Sequence, residues 1–275
     1  SAGDHVDVIT TLPNRYAQFS AQASQKESSE NFTIHRIQLP LHHSGMVDQS
    51  KAFLSFARDT LAISKRHDYD LVFASSSRLM TATLGALIAR QKKIPLYLDI
   101  RDIFVDTLSD VLPRGLALIL APIFSVIEKL TFSTASKINL VSEGFRPYFE
   151  SRYPGKSLSF FTNGIDDEFM EDTGIAEKNT KDNSIKTVLY AGNIGAGQGM
   201  DKIIPQLGVR LGKRVHFKVI GDGGQIQKLK DAIVACGLEN VELVPPMGRR
   251  QLIAEYLSSD VLFLRLNNHK AFEKV

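Results

Sequence analysis

Short apolar runs alternate along this chain with stretches whose apolar residues recur every three or four positions, and that alternation restricts the fold more than any single motif. The runs lie at 5–11 (HVDVITT), 70–74 (DLVFA), 94–99 (IPLYLD), 137–142 (KINLVS), 157–161, 186–192 (KTVLYAG), 215–220 (VHFKVI), 240–244 and 260–266 (DVLFLRL). Several carry no polar break, as strands covered on both faces should not. Between them fall Phe53, Phe56, Thr60 and Ile63; Met80, Leu84, Leu87 and Ile88; Met200, Ile203, Ile204, Leu207 and Leu211; and Ile226, Leu229, Ile233 and Cys236, each set marking one face of a helix. Repetition of strand, helix, strand calls for an α/β fold of doubly wound, Rossmann-like sheets. Pro205 falls inside the third helical set and disturbs its start.

Length suggests about two such domains. The alternation breaks once, at 166–185, where DDEFMEDTGIAEKNTKDNSI is charged and without period. We therefore expect an N-terminal domain over 1–165, a linker over 166–185 and a C-terminal domain from 186 to 275. No repeat and no low-complexity tract is visible. The formal charge is +3, with 18 Lys and Arg against 15 Asp and Glu before residue 166 and 15 against 15 after it. That bias is too small and dispersed for nucleic acid but is compatible with an anionic membrane surface. Cys236 is the one cysteine, so a disulfide framework and a cysteine zinc site are excluded, and a reducing, cytoplasmic compartment is expected. There is no run of eighteen uncharged apolar residues and no signal peptide, although a chain starting at Ser1 can have lost a leader.

Two glycine clusters stand at the carboxyl ends of consecutive strands. The first is GNIGAGQG, from Gly192 to Gly199, and the second GDGG, from Gly221 to Gly224. Open α/β sheets bind ligands at this edge, where glycine lets backbone N–H groups approach a phosphate and the next helix N-terminus adds a favourable dipole. An ordinary strand-to-helix turn explains either cluster alone; two on neighbouring loops point to one diphosphate. A nicotinamide dinucleotide site fits less well, because the strand after GNIGAG ends in glycines rather than in an acidic ribose ligand.

A second charged edge follows 94–99. In LDIRDIFVD, Asp99, Arg101, Asp102 and Asp106 end an apolar strand, where a carboxylate is able to orient or deprotonate an acceptor hydroxyl. The alternative is an Asp–Arg pair capping the next helix. His42 and His43 lie in a loop with no third ligand in sight and read as solvated, so no metal site is expected. Asn163, Gly164 and Asp166 read as a turn that meets ligand only if a cleft closes over it. The apolar stretch 113–132 is either a partly embedded surface helix or a core helix kinked at Pro122.

YAGNIGAGQGMDKII, then FKVIGDGGQIQKLKDAIVACGLENVELVPPM, then AEYLSSDVLFLRL resemble, in order and spacing, the C-terminal half of a family 4 glycosyltransferase of GT-B fold. DHVDVITT resembles that family's second strand, INLVSEGFRPYF a strand entering a helix, and FTNGID the turn before the second domain. With LDIRDIFVD the pattern resembles the bacterial surface-polysaccharide enzymes related to the fucosamine transferase. The resemblance implies retaining transfer of a sugar from a nucleotide sugar, UDP-linked, to a lipid-linked glycan in O-antigen or capsule assembly. It implies no cofactor or essential metal, and peripheral contact with the cytoplasmic face of the inner membrane. Donor contacts would come from Gly192, Asn193, Gly195, Gln198, Gly199, Gly221, Asp222, Gly223 and Met247. Asn193 and Gln198 stand where relatives hold an Arg and a Lys, which shifts the diphosphate onto the backbone of Gly192, Gly195 and Gly199 and onto a cation elsewhere. Asp102 takes the catalytic place, beside Arg101, with Asp99, Asp106, Asn163, Gly164 and Asp166 on the acceptor side.

Two other readings share these features: a sugar-nucleotide 2-epimerase on the same fold, and a nucleotide-sugar-binding protein without turnover. The resemblance also implies that a central first strand lies ahead of Ser1 and that an acidic donor motif, approached at Glu273, continues past Val275. On that basis the 275 residues are expected to be a segment of a longer polypeptide that, alone, neither folds cooperatively nor transfers sugar.

Overall fold

The structure, a computed structural model, describes residues 3–12, 23–40, 46–76, 78–103, 114–170 and 185–268. His42, His43, Asp106, Glu273 and most of the expected linker lie outside these residues. The chain separates into two compact units, one of residues 1–104, 122–140 and 149–159, the other of 105–121, 141–148 and 160–275.

In the first unit β1 (Val6–Thr11) runs parallel to β3 (Phe32–Ile37), and β2 (Lys26–Ser28) lies antiparallel on the far side of β3. After α1 (Met46–Ser64) comes a second sheet of β4 (Val72–Ser76), β5 (Leu96–Ile100), β6 (Lys137–Leu140) and β7 (Leu158–Phe160), in that spatial order. α2 (Leu79–Lys92) joins β4 to β5; α3 (Arg114–Thr134) precedes β6 and α4 (Arg146–Arg152) precedes β7, the first turns of each of these two helices being counted with the second unit. Continuous apolar sequence means burial on both faces here: Leu98, Ile138 and Leu140 are fully buried, each contributing about 1.5–3 kcal/mol. α2 lies directly on β4 because Gly85 has no side chain; a Cβ there would stand 2.7 Å from Cβ of Ala74. β2, β3 and α7 were not anticipated as elements, whereas α4 is the helix that INLVSEGFRPYF was expected to enter after β6. His35 and Arg36 interrupt the apolar character of FTIHRI, and β3 is held by its register with β1 rather than by a buried run.

Where the resemblance expects one sheet, the first unit has two. β1 ends one sheet and β4 ends the other. Residues of both strands, Asp7 and Ile9 on one side and Val72 to Ser75 on the other, line a cavity of about 190 Å³ together with Phe56 and Thr60 of α1 and Leu84 of α2. Apolar side chains of the two strands remain open to solvent, Val6 at 53% and Phe73 at 60%. The hydroxyl of Thr60 is buried in the wall of the cavity with no hydrogen-bond partner among the described residues.

The second unit is a four-stranded parallel sheet. Its strands are β8 (Lys186–Ala191), β9 (Val215–Ile220), β10 (Val241–Val244) and β11 (Val261–Leu262), in the order β10-β9-β8-β11. α5 (Met200–Leu211) follows β8, α6 (Ile226–Ala235) follows β9, and α7 (Arg249–Ser258) leads to β11. Pro205 sits buried inside α5 without breaking it. Cys236 caps α6, exposed and unpaired. Tyr190, Ile194, Met200, Ile204, Phe217, Val219 and Leu229 form the core that fixes both glycine loops, since Ile194 lies within the first of them.

Candidate functional site

β8 and β9 are adjacent and parallel, with Ala191 level with Ile220, so their carboxyl ends release the two glycine loops side by side. The loops are bound to each other through backbone. Gly192 N–H donates to Ile220 C=O at 2.9 Å, Ile194 N–H to Asp222 C=O at 2.9 Å, and Gln225 N–H to Ile194 C=O at 2.9 Å. Gly221 (φ 153°) and Gly223 (φ 154°) allow this approach. A Cβ on Gly221 would fall on the Gly192 carbonyl oxygen, and one on Gly223 would stand 2.6 Å from the Ile194 carbonyl oxygen. Gly199, at φ 60°, opens α5 in the left-handed region.

This geometry revises the roles expected for three glycines. Gly192 N–H is engaged by Ile220, Gly199 N–H by Gly195 C=O at 3.3 Å, and Gly195 N–H by Gln198 Oε1 at 3.2 Å. None of the three stands free for a phosphate. Among the described residues, the N–H groups of Ala196 and Gly197 have no acceptor, and they occupy the crest of the loop. Asn193 Nδ2 donates to the same Gln198 Oε1 at 3.3 Å, so the pair replacing the expected Arg and Lys forms a neutral clamp across the loop. The Tyr190 hydroxyl donates to Asn193 C=O at 2.6 Å, and burial raises its pKa, which keeps that proton in place. Asp222 Oδ1 accepts from Gly223 N–H at 2.7 Å, and Met247 is half-buried just past β10.

In the first unit the charged end of β5 divides into two parts. Asp99 is 6% exposed and belongs to a polar row across the sheet, one residue per strand. Its Oδ2 accepts from Ser75 Oγ of β4 at 2.8 Å and from Arg101 Nε at 3.2 Å, and its Oδ1 from Asn139 Nδ2 of β6 at 2.7 Å. Asn139 Oδ1 in turn accepts from Ser159 Oγ of β7 at 3.2 Å. Burial alone would push the Asp99 carboxyl up; the hydrogen bonds from Asn139, Ser75 and Arg101, with the Arg101 charge, outweigh it and hold the pKa below the ordinary value. Both oxygens of the buried Asp99 are therefore engaged in ties between strands, which revises its expected acceptor-side place. Arg101 is the partner of Asp99 and Ser75, not of Asp102. Asp102 accepts no hydrogen bond among the described residues. Its side chain reaches solvent, yet the protein packed around it raises its pKa.

The expected turn at Asn163 and Gly164 is absent. Residues 161–166 are irregular, Gly164 has no positive φ, and both residues are exposed. Asp166 instead pairs with Arg249 of α7 at 2.8 Å within the second unit.

No family model matches the sequence, and no curated protein does. Solved structures do match in fold. Sucrose-phosphate synthase from Thermosynechococcus elongatus is similar over 95% of this chain and 65% of its own, at 15% identity and a TM-score of 0.69. WaaG, a glycosyltransferase involved in lipopolysaccharide biosynthesis, is similar over 97% and 68%, at 14% identity and a TM-score of 0.59. Anabaena HepE, solved in complex with UDP and glucose, is similar over 85% and 61%, at 17% identity and a TM-score of 0.55. The fold is GT-B. This chain spans less than two thirds of the synthase and of HepE.

Within this GT-B chain, two residues that the sequence reading passed over brace the first glycine loop. β11 pairs with β8 on the flank opposite β9, so the residues just after it fall beside that loop. Asn267 N–H donates to Gly197 C=O at 2.7 Å and Asn267 Nδ2 to Ala196 C=O at 2.5 Å, which fixes the two peptides at the crest. Arg265 Nη1 donates to Gly199 C=O at 3.1 Å and Gln198 C=O at 3.4 Å. The signal was legible in DVLFLRLNN: a cation and an amide directly after a strand adjacent to the glycine strand.

No described helix is long and apolar enough to cross a membrane. α3 does present an apolar stripe to solvent, with Ile123, Val126 and Leu130 each more than half exposed at helical spacing, while Glu128, Thr131 and Phe132 on the other side are buried.

Proposed function

We propose that this chain belongs to a glycosyltransferase that moves a sugar from a nucleotide sugar to a glycan acceptor, with the second unit holding the nucleotide diphosphate. One observation carries the reading: two interlocked glycine loops at the carboxyl edge of adjacent parallel strands, with a braced crest and an arginine at their base. Leaving-group charge has to be met by preorganised donors. Ala196 and Gly197 supply backbone N–H groups, the peptide that carries the Gly197 N–H being held by Asn267 through the Ala196 carbonyl, and Arg265 supplies the cation that Asn193 and Gln198 do not. HepE with UDP and starch synthase IV with ADP are nucleotide-bound neighbours of the same fold. Asp102 is assigned to the acceptor hydroxyl, supported by its unused oxygens and raised pKa.

Narrower statements rest on the sequence resemblance: membership of the fucosamine-transferase-like subgroup of family 4, a UDP-linked donor, retention at the anomeric carbon, no essential metal, and a lipid-linked acceptor in O-antigen or capsule assembly. The stripe on α3 supports peripheral membrane contact at the cytoplasmic face. The test is a panel of nucleotide sugars incubated with enzyme and lipid-linked acceptor, with nucleotide release measured. Acceptor-dependent release of UDP is the expected result. Tight binding without release would favour a non-catalytic binding protein, interconversion of the sugar at C2 would favour an epimerase, and no binding at all would overturn the reading.

A further inference from the structure

We propose that Asp7, His35 and His67 form a binding site for a divalent transition-metal ion of the Zn²⁺ class, separate from the glycine loops and from Asp102. The three residues come from different parts of the first unit. Asp7 lies on β1 and His35 on β3; because Asp7 is level with Thr33 and Ile9 with His35, the two side chains are diagonal neighbours on one face of the sheet. His67 lies in the loop between α1 and β4. One ligand atom from each residue, two imidazole nitrogens and a carboxylate oxygen, lies within 4.8 Å of both others. Among the described residues no other group of three such donors comes this close.

The state of His35 points to a ligand rather than to chance proximity. Its Nε2 is buried and has no hydrogen-bond partner among the described residues, and an unsatisfied buried nitrogen is costly. Asp7 is oriented by its neighbours, with the Tyr69 hydroxyl donating to its Oδ2 at 3.0 Å and His5 Nε2 standing 3.4 Å from its Oδ1. Outer-shell bonds of this kind fix a ligating carboxylate. The rings of His35 and His67 are 6.2 Å apart at 51°, and neither stacks flat on the other.

Two imidazoles and one carboxylate suit Zn²⁺ and disfavour Mg²⁺ or Ca²⁺, which take oxygen ligands. Donors about 2.1 Å from a tetrahedral ion stand about 3.4 Å apart, so closure requires a shift of little more than 1 Å. His67 is exposed in a loop, and although Lys92 Nζ holds its carbonyl at 2.6 Å, rotation of its side chain is enough to make it. The fourth position would be taken by water. A bound ion would fasten β1 and β3 to the segment entering β4, clipping together two sheets that no strand joins among the described residues.

The experiment is titration of chelator-stripped protein with Zn²⁺ alone, followed calorimetrically, with bound metal counted after gel filtration. One equivalent is expected, at micromolar affinity or tighter. His67→Ala, which leaves the sheet intact, and His35→Gln, which keeps a polar group of similar length, should each weaken binding at least tenfold while far-ultraviolet circular dichroism stays unchanged. His216→Ala, in the second unit, should bind as the wild type does. Binding below a tenth of an equivalent, or undiminished binding in a folded His67→Ala protein, would overturn the proposal. Neither result bears on sugar transfer, which is read separately by nucleotide release.

Discussion

Replacing Asp99 by Asn tests whether the charged end of β5 is divided between structure and chemistry. The carboxylate accepts three hydrogen bonds while almost fully buried. An Asn at 99 keeps one acceptor oxygen and turns an NH₂ group toward either Asn139 Nδ2 or the Ser75 and Arg101 donors. Rotation of the Ser75 hydroxyl relieves one conflict. Flipping Asn139 relieves the other only by pointing its NH₂ at Ser159 Oγ, which now donates to it. At least one charge-assisted bond is lost and Arg101 keeps no anionic partner, a loss of about 2–4 kcal/mol. With a urea slope of about 1–3 kcal/mol/M, the midpoint should fall by roughly 1–2 M at pH 7. The pH dependence has a definite sign. Because the folded pKa of Asp99 lies below its unfolded value, its contribution is complete above the ordinary carboxylate pKa and disappears as pH falls through the folded one. The gap between wild type and variant should therefore be constant near neutrality and close below about pH 4. A midpoint within about 0.3 M of wild type, or a gap that persists unchanged into acid, would refute the reasoning.

Gly221→Ala should be far more damaging than Gly195→Ala. The first places Cβ on the Gly192 carbonyl oxygen at φ 153°, for at least about 3 kcal/mol and a tenfold or greater loss of nucleotide affinity by calorimetry, whereas the second meets only the movable ends of Asn193 and Gln198. Asp102→Asn should abolish transfer while nucleotide affinity stays within a few-fold. In the wild type the acid limb of kcat/KM should lie above the usual carboxylate range, since a raised pKa leaves Asp102 protonated, and unable to act as a base, at a higher pH than an ordinary Asp. Val126→Asp puts a charge in the exposed stripe of α3 and should reduce co-sedimentation with anionic liposomes at least several-fold without changing the melting temperature by more than a few degrees.

Legibility in the sequence followed the number of faces a segment buries. β5, β6, β8 and β9 are covered on both faces and read directly as apolar runs. β3 was missed because FTIHRI is only half-buried and its histidine and arginine obscure the period. β11 was overextended: LFLRL is apolar to Leu266, but only Val261 and Leu262 pair with β8, and Leu264 is left exposed. α7 was passed over because its apolar residues do not gather on one side. Side-chain pairing was the least legible level. LDIRDIFVD holds three Asp residues and one Arg, and nothing in that order says that Asp99 faces Asn139 forty positions on while Asp102 has no hydrogen-bond partner among the described residues.

The glycine loops show the same limit in sharper form. Composition indicated that backbone comes close to something at GNIGAGQG and GDGG, and it does; what it meets is the other loop. Gly221 and Gly223 are demanded by the carbonyls of Gly192 and Ile194, and Gly199 by a left-handed turn beside Asn267 and Arg265. A glycine read as access for phosphate is here first a condition of loop-to-loop packing. Phosphate binding then falls to the N–H groups left without an acceptor among the described residues, those of Ala196 and Gly197, whose own side chains carry no chemistry and give no hint in the sequence. If so, Asn267→Ala, which frees the crest without touching a glycine, should weaken nucleotide binding by about threefold to thirtyfold, or about 0.7–2 kcal/mol, while the urea midpoint hardly moves. Unchanged affinity in that variant would return the phosphate to the glycines themselves.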